Sequence, residues 1–314
     1  KNALYRWDAN NEVLDASPQT PVRDVERYFT VTSDTVALLP LDDPPGPPFV
    51  RTDRSGGLGV GYWVPNERPR DTHQVTVRDL QLRARLMPGL VVGEHLGLRL
   101  ERIESVGGWQ GVGNIPLATS YPMSMTDCSL TGTDCGYFGY WQNLAARNTM
   151  ISAYGRQAIR FRSGYCLWDH TFVGDSAPNT ETLVSILGDD SGPTHEFRRL
   201  SIDNESGGPA RAVIEFEQGY TNPQNRLVID GLDVAGVAKD AAILRLIGHG
   251  AKGGWYKAKL DARNVTVYNR EYRAALEVIG PPAWHGTFDA SALPKAPVAG
   301  EASKIEVTPP AEFP

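Results

Sequence analysis

Asp169, Asp203 and Asp230 occupy the same place in an eight-residue pattern that recurs along the chain. If the pattern stacks turn on turn, they become a file of carboxylates about 4.8 Å apart, the spacing of hydrogen-bonded strands. Neighbours at about 5 Å and outer members at about 9–10 Å bracket the carboxylate separations used in glycoside hydrolysis. There one acid protonates the leaving oxygen, and the other attacks or activates water. Like charges this close disfavour joint ionisation, so one Asp could keep its proton. His170 stands beside Asp169 and could fix where that proton sits. Arg147 and Arg263 flank the file and could bind an acidic sugar. The same oxygens could instead hold Ca²⁺ as a cofactor. A purely structural file competes with both, because Asp at a strand-to-bend junction commonly bonds nearby backbone N–H groups.

The pattern that positions these groups has its units at Val75–Leu82, Leu98–Ser105, Met123–Leu130, Leu144–Ile151, Cys166–Val173, Leu200–Gly207, Leu227–Val234 and Leu260–Val267. First and third places are apolar in every unit. The fourth place reads Arg78, Glu101, Thr126, Arg147, Asp169, Asp203, Asp230, Arg263. The fifth place favours Asn, Asp or Gly, residues that tolerate a left-handed bend. The sixth and eighth are often apolar again, with Glu205 the clear exception. Alternating segments such as Leu183–Leu187, Ala212–Phe216, Ala242–Leu246 and Ala274–Val278 supply a second strand between units. On these strands Glu215, Arg245 and Glu277 read as an exposed ion-pair ladder that supports register. Units beginning roughly 20 to 35 residues apart imply an all-β solenoid rather than a propeller, whose blades need four strands each.

The excursion over 174–199 is the longest between units and carries Glu181, His195 and Glu196; long loops on a rigid scaffold build binding walls. Glu196, Arg147, Arg263 and Trp141 are the candidate substrate contacts. Trp141 qualifies because flat rings outside a sheet can stack on sugar faces.

Val75-Thr-Val-Arg-Asp-Leu-Gln-Leu and Ala262-Arg-Asn-Val-Thr-Val resemble rungs of the right-handed parallel β-helix superfamily, the pectin-lyase-like proteins. The resemblance covers about residues 72–280 and implies a single-stranded right-handed parallel β-helix. Residues 1–71 would then be an irregular cover, with Ser55–Gly61 a flexible run, and residues 281–314 a Pro-rich tail. Trp168-Asp169-His170 is similar to the pectate-lyase Trp-x-Asp-His motif, but it lacks the intervening residue. The superfamily holds lyases, hydrolases, epimerases, tail spikes and adhesins, so the resemblance implies an architecture more than a reaction.

The formal net charge of −6, with Lys and Arg scattered, argues against a nucleic-acid partner. No apolar run of about 18 residues exists to span a membrane. Cys128 and Cys135 could close a disulfide across a turn in an oxidising compartment, or all three cysteines could be small buried apolar residues. No signal peptide is visible, and a chain opening on Lys1 reads as a processed form or a segment of something longer. The expectation is a secreted or cell-surface protein that binds or degrades a polysaccharide or cell-surface glycan, with hydrolase or lyase activity left open. The rival is a structural or adhesive module, in which open coil ends favour self-association.

Overall fold

The computed structural model describes the strands before residue 75 by their backbones. From residue 75 onward it describes all residues except 85–88, 93–97, 108, 115–121, 177–179, 189–193, 205–210, 219–224, 250–257, 269–270, 282–283, 294–297, 301–303 and 311–314. The described residues are all-β, with long stacks of parallel strands and no helix, as in a parallel β solenoid. No helix among them is long and apolar enough to cross a membrane.

Two parallel stacks carry the architecture. One runs through Leu98–Gly107, Pro122–Thr126, the later part of Cys135–Tyr154 and the later part of Gln157–Val173. It continues through Thr194–Asp203, Arg226–Ala235, Ala258–Val267, Trp284–Asp289 and Ile305–Thr308. The other joins the early parts of the two long strands to Thr182–Leu187, Ala212–Glu217, Ala242–Ile247, Ala274–Ile279 and Val298–Gly300. Alternation makes this work: the first and third places point inward and the second and fourth outward, and the bend at the fifth place shifts the alternation so that the sixth and eighth point inward. Leu98, Met123, Leu144, Cys166, His195, Leu227 and Leu260 lie in one inward file. Leu100, Met125, Ala146, Trp168, Phe197, Ile229 and Ala262 lie in the next, and both files are buried.

A bend with positive φ follows each outward fourth place, at Asp79, Arg102, Asp127, Asn148, His170, Arg199, Gly231 and Asn264. The left-handed backbone costs about 1–2 kcal/mol at a non-Gly residue. Side-chain bonds between turns accompany it: Asn148 donates to Asp127, Arg102 forks onto Asp79, and Asn264 donates to Asp230 at 2.9 Å. Gly164 is different in kind. Its φ is +96, and a Cβ there would meet the Gln142 carbonyl oxygen at 2.4 Å.

The unit expected at Leu200–Gly207 is misplaced. His195, not Leu200, stacks between Cys166 and Leu227, and Phe197 stacks between Trp168 and Ile229. Leu200 and Ile202 belong to the sixth and eighth places, over Leu232 and Val234. The physical reason is that a histidine can stand in an apolar file if it is neutral. His195 is fully buried, and its Nδ1 lies 3.3 Å from the Cys166 sulfur. Burial pushes its imidazole down to about 3. Its ring sits edge-on between Phe161 and Phe216, at 5.5 and 5.0 Å, in a pile that continues to Trp284.

Two further expectations are corrected. Parallel stacking continues past residue 280, because Trp284, Phe288 and Ile305 keep inward places filled. Leu58–Tyr62, overlapping the glycine-rich run, is a strand that pairs with Pro48–Thr52 and Leu90–Val92. All three cysteines are buried free thiols, with no Cys128–Cys135 disulfide.

The folded His195 takes a proton only near pH 3, whereas an unfolded chain takes one near 6.5. Its neutral burial is therefore fully compatible with folding above about pH 6.5, and stability falls as pH drops from there toward 3. We expect His195→Phe to change stability by about 1 kcal/mol or less at pH 7, and to be more stable than the parent by on the order of 2 kcal/mol at pH 4.5. Urea unfolding at the two pH values measures both. In the same assay Gly164→Ala should cost more than about 2 kcal/mol, while Gly231→Asn, at a bend that other turns fill with Asn, should cost less than about 1 kcal/mol.

Candidate functional site

The outer face of the first stack presents three files of side chains. The fourth-place file reads Arg147, Asp169, Arg198, Asp230, Arg263. Arg198 therefore occupies the place expected for Asp203, and the carboxylate triplet is not formed. Asp203 ends its strand beyond the bend and pairs with Ala235. The cause is the five-residue slip fixed by His195. What looked like three adjacent acids is a file of alternating sign, with Asp169 and Asp230 two turns, about 10 Å, apart.

These acids are engaged. Asp169 accepts from Arg199 Nε at 3.0 Å. Asp230 accepts from Arg263 Nη2 at 2.6 Å and from Asn264 Nδ2 at 2.9 Å. The Arg263 guanidinium, aided by the Asn264 amide, holds the Asp230 carboxyl below the usual carboxylate range. That shift is opposite to the one a proton donor needs. His170 is exposed at its bend with φ 56 and marks the corner rather than the trough. With Asp203 elsewhere, the three-oxygen group suited to Ca²⁺ is lost. Among the described residues no cluster of three or more His, Cys, Asp or Glu is placed to hold a metal ion.

Two hollows run along this face and meet at Glu196. The first, of about 730 Å³, is lined by Pro122, Asn143, Ala145, Tyr165, Leu167, Thr194 and Glu196. Tyr165 is half exposed there, at 51%. The second, of about 620 Å³, is lined by Glu196, Arg198, Arg226, Asp230, Lys259, Asp261, Arg263 and Thr287. Together they make one trough, apolar at one end and ionic at the other.

No family model matches the chain, and no curated protein or solved structure is similar to it at a significant level. The geometry must carry the reading of the site.

Of the expected contacts, Glu196 and Arg263 line the trough, and Glu196 is ion-paired with Arg198 at 2.7 Å. Arg147 stands in the fourth-place file beside Asp169 but lines neither hollow. The Trp141 side chain lies outside the described residues. Sequence reasoning missed Tyr165, Arg198, Arg226, Lys259 and Asp261. For all but Arg198 the signal lies in the outward places before and between the apolar ones. Glu205 was a second signal. It broke the sixth-place rule, and the exception vanishes once Leu200 takes that place. On the second stack the ladder is present but not exposed as expected: Arg245 bridges Glu215 at 2.7 Å and Glu277 at 3.0 Å, with Glu215 buried and the other two largely covered.

An NMR titration of Asp230 checks the corrected register. Arg263→Gln should raise its pKa toward the ordinary value of 3.8, and Asp203→Asn should leave it unmoved.

Proposed function

We propose that the chain is a right-handed parallel β-helix of the pectin-lyase-like kind. It binds an extended polysaccharide or cell-surface glycan along the outer face of its first stack, as a secreted or cell-surface protein. The observation that carries this reading is the pair of hollows adjoining at Glu196, with Tyr165 half exposed in the lining of the first. A phenol ring can cover the apolar face of a sugar, while Asn143, Thr194 and Glu196 beside it offer donors and acceptors to the hydroxyl groups. A trough crossing several turns suits a chain-like ligand better than a compact one.

Holding is favoured over cutting. Acid–base cleavage on Asp169 and Asp230 needs one of them free to carry a proton, but each is held by an arginine, Asp169 by Arg199 and Asp230 by Arg263. The second reading, a structural or adhesive module that associates through its coil ends, is favoured by a different observation. Asp169, Asp230, Glu215 and Glu277 are each tied to an arginine on a neighbouring turn, so these charges serve register.

Affinity electrophoresis in gels containing neutral and acidic polysaccharides separates the two. We expect retardation by at least one polymer, with Tyr165→Ala weakening it about five- to tenfold, or roughly 1 kcal/mol. No retardation by any polymer rejects the binding reading in favour of the module.

A further inference from the structure

We infer that the ionic end of the trough is a clamp for the anionic groups of an acidic polysaccharide. Arg226 and Lys259 are the binding cations, and Asp261 is the residue that positions them. The inference rests on the polysaccharide reading above and names the class of polymer.

Arg226 and Lys259 are register partners on adjacent turns, so their side chains leave the sheet side by side. Both reach the same oxygen. Arg226 donates to Asp261 Oδ2 through Nε at 2.9 Å and Nη2 at 2.7 Å, and Lys259 Nζ lies 3.0 Å from that oxygen. Two cations on one carboxylate leave a unit of positive charge uncompensated. Partial burial acts to raise the Asp261 carboxyl, but the Lys259 and Arg226 bonds outweigh it and keep it below the ordinary range. The group therefore keeps its charge through neutral pH. Arg226 uses only two of its three guanidinium nitrogens here. Among the described residues nothing accepts from its Nη1, which leaves donor capacity for an incoming oxyanion.

The surroundings reinforce this. Arg198 and Arg263 add two more cations to the hollow, each balanced by one acid, Glu196 and Asp230. Four cations face three acids in a chain whose formal net charge is −6. A locally positive hollow on an acidic molecule draws in a negative group without making the rest of the surface sticky for polyanions. The pairs are half exposed, so reorganising them around a ligand costs little. Continuity with the Tyr165 hollow selects the ligand type. A small anion would use only the ionic end, and a neutral glycan only the apolar end. A sugar chain bearing sulfate esters or uronate carboxylates uses both.

The test uses the whole chain and four probes: dextran sulfate, polygalacturonate, neutral dextran and inorganic sulfate. Binding to at least one acidic polymer should exceed that to dextran at least tenfold, and should weaken as NaCl rises from about 0.05 to about 0.3 M. Comparison of the two acidic polymers tells sulfate ester from uronate, and inorganic sulfate should compete only weakly. The double variant Arg226→Gln/Lys259→Gln should lose at least tenfold on the acidic polymer, with an unchanged unfolding midpoint and unchanged weak binding to dextran. Asp261→Asn separates positioning from bulk charge. It makes the hollow more positive, so charge alone predicts tighter binding, whereas loss of positioning predicts about threefold weaker binding. Arg156→Gln, at an exposed arginine outside the trough, should change nothing. Equal binding of dextran and the acidic polymers, or an unaltered double variant, overturns the clamp. If dextran retardation remains sensitive to Tyr165→Ala in that case, the polysaccharide reading survives. If no polymer binds at all, both fall.

Discussion

From residue 75 onward the described structure depends on parallel main-chain pairing that sets each turn directly over the last. Once that stacking holds, a side chain has two options, to lie inside against its counterparts above and below or to face outward. Inside, burial disfavours charge and favours polar atoms that find partners. Tyr137 meets this by donating to Gln142, which in turn reaches the Met123 sulfur. His195 meets it by giving up its proton. The pile of Tyr137, Phe161, His195, Phe216 and Trp284 then links turns that are far apart in sequence.

The same stacking decides what the outer face can do. Alternation puts three outward files on the first stack, and their neighbours are fixed by register alone. Arg198 between Asp169 and Asp230 turns a would-be acidic cluster into a compensated file. Such a file fixes donors and acceptors of both signs at set heights along the stack. The uneven place is at Arg226, Lys259 and Asp261, where two cations share one acid.

Much of this was legible in the residues, and the limit has a definite cause. Seven of the eight turns could be aligned from apolar first and third places, because Leu, Met and Cys report burial by their type alone. The bend was legible because Asn, Asp and Gly accept the left-handed backbone. The turn that failed contains a buried histidine, which composition counts as polar and which only desolvation makes apolar. Sliding that turn to Leu200 preserved the apolar rule but created the Asp203 column and the anomaly at Glu205. Tyr165 and the Arg226 group were invisible for another reason. Their meaning comes from neighbours on other turns, and those neighbours are known only once the register is.

The direction of the main-chain bonds also fixes how the chain answers a pull. Those bonds run along the solenoid axis, between turns, rather than across it. Tension applied to the two ends therefore loads the outermost turn first and peels turns away in sequence, at modest force. Bending must instead compress ring against ring inside while stretching many bonds on the opposite side at once. The molecule is built to be stiff sideways and to unravel lengthwise from its ends.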